Sequence, residues 1–243
     1  MAVSGPELVN SLGGPVFSRG DVEFSRGVRA GGDVIFRVDG GAAILQLNRP
    51  AKRNALSQAM WEAICAALAE AASRPDVRAF VFTGLPGIFC AGADLTALKS
   101  EDREAAARYR EVSLRGYDAV RDFTLPTIAV IDGLCIGGGN NLALACDMRL
   151  ASPRASFAIP AVRHGIVYDR PTVSRLVELM GSGRASHLLF TAGRIDAARA
   201  AETGLVDILT DDLDAELADF LGALRAADMP TLLAIRDTIR QVR

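Results

Sequence analysis

The sequence predicts an α/β fold with a C-terminal helical region, and three observations carry that prediction. Apolar, β-like runs alternate with helix-period segments up to Ile159. From Thr172 onward helical patterns dominate. No Pro/Gly-rich linker divides the ordered part, so one domain accounts for it, and 243 residues are enough to bury a substantial core.

Residues 1–31 are rich in Gly, Ser and Arg and contain "FSRGDVEFSRG", which reads as a flexible N-terminal arm. The domain is expected over 32–243, with a core over about 32–190 and a helical tail over about 191–243. "VIFRVDGGAAILQLN" is two strands around Asp39-Gly40-Gly41, a hairpin signal. The chain then turns through "RPAKRNALS" into a helix over roughly 58–72. There Met60, Ile64 and Leu68 share one stripe, and Trp61 beside them reads as core packing.

"VRAFVFTG" reads as a buried strand ended by Gly84, and "FCAGADLTALK" leads through a loop into another helix. "TIAVIDG" is a third such strand and runs into "CIGGGNNLALACD"; "MRLASPRASFAI" returns as extended chain. "TVSRLVELM", closed by Gly181, "SHLLFT", and "DAARAAETG", closed by Gly204, are helices. Both glycines stand where a helix C-terminus takes a left-handed residue.

Half the residues are hydrophobic and the net charge is −2, which gives no electrostatic case for nucleic acid or an anionic membrane surface. No stretch approaches the roughly 18 apolar residues of a membrane span, and the N-terminus has no uninterrupted apolar region, so cytoplasm is the expected location. Cys65, Cys90, Cys135 and Cys146 lie in apolar surroundings without a CxxC pair. They read as free thiols in a reducing compartment, not as a disulfide framework or zinc site. There is no G-x-x-x-x-G-K-[ST], no G-x-G-x-x-G after a strand, no H-E-x-x-H and no G-x-S-x-G. Nucleotide hydrolysis, a dinucleotide cofactor, a zinc protease and a serine hydrolase all lose support.

What remains is a pair of loops. Cys90–Asp94 and Ile136–Gly139 each follow a strand-like run and precede a helix. On neighbouring strands, both helix N-termini would open on one edge of the fold, and backbone N–H groups from both loops could grip one oxygen. Such an oxyanion hole is worth about 3 kcal/mol per donor. Ala91, Gly92, Ala93 and the three glycines 137–139 are small enough to admit a ligand close to the backbone. Each loop also has a structural reading: Asp94 as a helix cap, the triple glycine as a tight turn.

"LNRPAKRNAL", "FCAGADL", "IDGLCIGGGNNLALACDMRLAS", "FAIPAVRHGIV" and "AAETGLVDIL" occur in this order, and together they resemble the successive blocks of the crotonase, or enoyl-CoA hydratase/isomerase, superfamily. The resemblance covers about Val34 to Arg243. It implies a crotonase-like spiral of stacked ββα units, a homotrimer or dimer of trimers, and an acyl-CoA thioester as ligand, with no cofactor beyond the coenzyme A moiety. It places the two oxyanion-hole amides on Ala93 and Gly138. Cofactor contacts fall on Arg53 and the backbone near Ala91, with Gly92 and Asp94 in the same loop.

The resemblance also implies two catalytic glutamates, but Asn141 and Ala161 occupy their positions. Asn can donate and accept hydrogen bonds but cannot exchange a proton, and Ala does neither, which disfavours two-glutamate hydration. Eight residues after Ala161, Asp169 resembles the catalytic Asp of dienoyl-CoA isomerases and 4-chlorobenzoyl-CoA dehalogenases in the superfamily. It reads as a general base in isomerase- or hydrolase-like chemistry, or as the cap of the helix entered through Pro171. His164 and Tyr168 share its segment, where packing roles are the default. Asn141 could orient a water or the substrate. Family members commonly continue past the helix at "PTLLAIRDTIRQVR" with segments that cover the pocket, so a less covered pocket is expected. The alternative from another functional class is a non-catalytic acyl-CoA-binding or carrier protein.

Overall fold

A computed structural model of the chain describes residues 32–98 and 101–242; the arm expected over 1–31 lies outside the described residues. The chain opens with the hairpin β1 (Val34–Asp39) and β2 (Ala42–Leu47), paired antiparallel from Val34↔Leu47 to Asp39↔Ala42 across a two-residue turn. Helix α1 (Gln58–Ala72) follows, with Ser57 accepting from the Met60 N–H as its cap. Met60, Ile64 and Leu68 are buried on one face, as the stripe predicted.

Three ββα turns come next. They are β3 (Ala79–Thr83), β4 (Ile88–Cys90), α2 (Leu95–Leu98) and α3 (Arg103–Arg121); β5 (Thr127–Ile131), β6 (Leu134–Ile136) and α4 (Gly138–Ala145); β7 (Met148–Ala151), β8 (Ser156–Ala158) and α5 (Arg170–Met180). In each turn the first strand joins one sheet and the second joins another. The large sheet has the order β1-β2-β3-β5-β7 and is completed by β10 (Ile208–Leu209). The small sheet runs β4-β6-β8 and is completed by β9 (Arg194–Asp196). Helices α6 (Ser182–Thr191), α7 (Ala197–Glu202), α8 (Leu213–Ala226) and α9 (Met229–Gln241) fill out the C-terminal region.

Strand side chains alternate faces, and both faces of the large sheet are covered, so its strands read as continuous apolar runs. Phe80 and Phe82 point into the main core with Trp61, while Ala79 and Val81 meet Leu213, Leu217, Leu221 and Leu224 of α8.

The corners between the sheets are tied by one carboxylate. Asp132, 4% exposed at the β5–β6 corner, accepts from Gly87 N (2.9 Å) at the β3–β4 corner. At the β7–β8 corner it accepts from Ser152 Oγ (2.6 Å) and Arg154 Nη2 (2.8 Å). A buried charge holding three turns of the spiral in register satisfies its own desolvation through these bonds.

Gly181 differs from expectation. Its φ of 78° is positive, but its ψ of 153° is not left-handed helical, because it ends α5 and starts α6 at once. The left-handed cap falls instead on Ala192 after α6 (φ 50°, ψ 31°). No helix among the described residues is long and apolar enough to cross a membrane.

Two outcomes are expected. Asp132→Ala leaves three donors without their acceptor and should cost about 2–3 kcal/mol in urea unfolding, given that Arg154 is largely exposed. Burial pushes the Cys90 thiol from its ordinary 9.0 up to about 12 and raises Cys135 and Cys146 as well. The stability held in the Cys90 thiol form is intact below that ordinary value and is lost as pH rises from there through about 12. In the native protein a thiol-exchange reagent at mildly alkaline pH should therefore modify only Cys65, which is partly exposed, and reach all four after denaturation.

Candidate active site

The site forms where the loop after β4 meets the loop after β6. Parallel pairing of β4 with β6 puts both loops at the same sheet edge. The backbones then come nearly into contact: a Cβ on Gly139 would lie 2.7 Å from the Cys90 carbonyl oxygen, and one on Gly138 would lie 2.9 Å from the Ala93 nitrogen. Gly137, the residue before α4, has φ 52° and ψ −112°, a conformation that side chains disfavour. The N–H groups of Ala93 and Gly138 have no hydrogen-bond acceptor among the described residues, whereas Ala91 N donates to Arg53 O (2.9 Å) and Gly137 N to Ala158 O (2.8 Å). Two unused donors therefore stand side by side.

Both open on a cavity of ≈ 330 Å³. Ala91, Gly92, Ala93, Gly137 and Gly138 form one wall. Asn141, Ala161, His164, Tyr168 and Asp169 also line it, so the structure brings most of the predicted site residues together. Arg53 and Asp94 are not among the lining residues. Arg53 is exposed and left-handed (φ 48°), and its carbonyl rather than its side chain supports the Ala91 loop. Asp94 accepts from Arg49 Nη1 (2.7 Å) and, at the start of α2, from Thr96 N (3.1 Å). Partial burial opposes its ionisation, but these bonds and the Arg49 charge outweigh that and hold the carboxyl below its ordinary value.

The two asparagines divide their work. Asn140 is buried and its Nδ2 donates to Cys135 O (2.6 Å) and Ala158 O (3.0 Å), fixing the glycine loop to β6 and β8. Asn141 lines the cavity, and its Oδ1 is buried with no hydrogen-bond partner among the described residues. Asp169 caps α5: Oδ1 accepts from Thr172 N (2.8 Å) and Oδ2 from Thr172 Oγ1 (3.0 Å). The cap and the cavity position coexist: Asp169 holds the helix start and is also among the residues lining the cavity.

Sequence reasoning missed the opposite wall. Helix α3 supplies Tyr109, Arg110, Ser113, Leu114 and Tyr117. Its signals were Asp102, which caps it through Glu104 N and Ala105 N, and the helical spacing of Ala106, Tyr109, Val112 and Tyr117. Trp61 packs in the core as expected, against Gly116 of α3, and its ring also lines the cavity. Burial pushes the Tyr109 hydroxyl up to about 12; the group donates to Leu56 O (2.9 Å). Burial raises Tyr117 as well, and raises Tyr168 with the Asp169 charge adding to the effect. These phenols stay protonated at neutral pH and act as donors, not bases. Among the described residues no group of three His, Cys, Asp or Glu is placed to hold a metal ion.

Residues 37–223 match the family described as Enoyl-CoA hydratase/isomerase. The chain belongs to that family. A 2,3-dehydroadipyl-CoA hydratase from Escherichia coli K12 is 34% identical over 200 residues, covering 82% of this chain and 78% of the relative. Enoyl-CoA hydratase domain-containing protein 2, mitochondrial, from Bos taurus is 37% identical over 169 residues, or 69% of this chain. The match spans 57% of that relative's length. The crystal structure of an enoyl-CoA hydratase/isomerase family protein from Hyphomonas neptunium superposes with a TM-score of 0.81 at 32% identity, covering 86% of this chain and 82% of that one. The architecture of this hydratase/isomerase-family chain is the crotonase fold, with its C-terminal helices present.

Gly139→Ala forces a Cβ against backbone that has no room to yield. It should cost about 1–3 kcal/mol by thermal or urea unfolding. A variant as stable as the parent would show that the loops are not in close contact.

Proposed function

We propose that the chain binds an acyl-CoA thioester, holds the thioester carbonyl between the N–H groups of Ala93 and Gly138, and stabilises the enolate formed there. The family and the two unused donors on one cavity wall support this reading. Charge developing on the oxygen would meet donors already in place, so the stabilisation needs no reorganisation during reaction. On this reading the exposed Arg53 and the backbone of Ala91 and Gly92 would take the coenzyme A moiety, with Asp94 keeping the loop in shape through Arg49. No cofactor beyond coenzyme A enters this reading.

The reaction we favour is isomerase- or hydrolase-like, with Asp169 as the group that moves a proton. One observation carries it: Asp169 is the one carboxylate among the described residues lining the cavity. Ala161 offers no functional group, Asn141 offers an amide, and the three phenols are held protonated; His164, the other lining group able to accept a proton, also borders the second pocket. Asn141 would orient a water or the acyl group with its unused acceptor. A second reading is favoured by the two bonds from Thr172, which give Asp169 a complete structural role. On that reading the protein binds or carries acyl-CoA without turnover.

The proposal extends to a homotrimer or dimer of trimers, in which neighbouring copies would cover apolar surface such as Phe190, 76% exposed, and to the cytoplasm, where the free thiols would stay reduced.

Asp169→Asn separates the two readings, because Asn caps a helix nearly as well as Asp. Deuterium exchange into a panel of acyl-, enoyl- and dienoyl-CoA esters should fall at least about 100-fold in the variant. Acyl-CoA affinity and unfolding midpoint should change little. Unchanged exchange in Asp169→Asn would remove Asp169 from the chemistry. Tight binding without exchange in the parent protein would establish the carrier reading.

A further inference from the structure

The cavity does not end at its apolar wall. A second pocket of ≈ 610 Å³ lies beside it, and Leu98, Arg110, His164, Ile166 and Val167 line both. Arg103, two turns before Arg110 on the same face of α3, lines only the second compartment. No carboxylate lines this compartment, and among the described residues no Asp or Glu pairs with Arg103, Arg110 or His164. The first compartment has the opposite character: Leu95, Leu98, Leu114 and Ile166 make its far side apolar. The two pockets together therefore offer a donor pair, an apolar sleeve and a cationic chamber.

Arg53 and Ala91 are absent from the second compartment, as are Ala93 and Gly138. A thioester held at the two amides can therefore direct its acyl group along the apolar sleeve toward Arg110 and Arg103. Resting on the acyl-CoA reading above, we propose that the acyl group leaves through the sleeve and ends in a carboxylate, which Arg110 and Arg103 bind. The substrate class is an ω-carboxyacyl-CoA. Two guanidinium groups without acidic partners are suited to this, since their planar donors match a carboxylate in bidentate geometry. Methylene groups between the thioester and that carboxylate would lie against the leucines, while a methyl-ended chain would place an apolar terminus among cations.

The test is calorimetric binding of matched pairs of CoA esters that differ only at the far end: butyryl and succinyl, hexanoyl and adipoyl, octanoyl and suberoyl. At one or more lengths the carboxylate-ended ester should bind about fivefold or more tightly. Arg110→Gln and Arg103→Gln, both at exposed positions, should each reduce that preference selectively. A methyl-ended ester that binds as well as its partner at every length overturns the proposal and leaves the acyl-CoA reading intact. Equal weakening of both esters in the variants also overturns it, because the cations would then be holding coenzyme A phosphates. If no ester binds, the acyl-CoA reading itself fails and the proposal falls with it.

Discussion

Everything at the site depends on two stretches of backbone lying closer together than side chains allow. The Cys90–Ala93 and Gly137–Gly139 segments touch through main-chain atoms, and only hydrogen atoms at 138 and 139 fit between them. That contact is held from outside. Asn54 Nδ2 donates to Ile88 O and Phe89 O, Asn140 ties the other loop to Cys135 and Ala158, and Asp132 pins the corners of the strands that deliver both. At the far end of α4, Arg149 donates to the Cys146 and Leu205 carbonyls and pairs with Asp207 at 2.5 Å. The helix that presents the Gly138 N–H is therefore fixed at both ends. Such a frame suits a site made of main-chain donors, which cannot change rotamer to find a ligand.

Much of this was legible because the relevant signals are local. The strands announce themselves as apolar runs, since both faces of the large sheet are buried, and α1 begins and ends where Ser57 and the Met60–Ile64–Leu68 stripe place it. The glycine loops were visible for the same reason: close approach of backbone excludes Cβ atoms, and the sequence records that exclusion. Helix α3 was less legible. It is rich in charge, and Gly116 interrupts its apolar face where Trp61 of α1 occupies the space a side chain would need. Helix α8 shows Leu213, Leu217, Leu221 and Leu224 at helical spacing, but which sheet face they cover is a tertiary fact. The cavity's second wall and its cationic chamber both belong to α3, so they could not be read without it.

Asparagine at both 140 and 141 illustrates a limit of a different kind. The residues are chemically identical neighbours, yet one is a buried tie with two carbonyl acceptors and the other faces the cavity with an unused oxygen. Adjacent residues on a helix point about 100° apart, and the direction of the cavity decides which is which. Arg53 shows the converse. Its position near the Ala91 loop followed from the motif, but its left-handed backbone contributes a carbonyl to the loop and leaves the side chain in solvent.

The distribution of charge around the cavity limits the chemistry more tightly than its shape does. One wall carries main-chain N–H groups, which favour negative charge on an oxygen; the tyrosines are held neutral by burial; the far chamber is cationic. An anion is thus favoured at either end, and two lining side chains can accept a proton between them: Asp169, already bonded twice by Thr172, and His164. Those two bonds fix the orientation of the Asp169 carboxylate. On the proposed reading, a base held in one orientation suits removal of a proton that an oxyanion hole has already acidified. On that reading, the Asn and Ala at 141 and 161, where two-glutamate hydration would need carboxylates, also favour enolate chemistry over hydration.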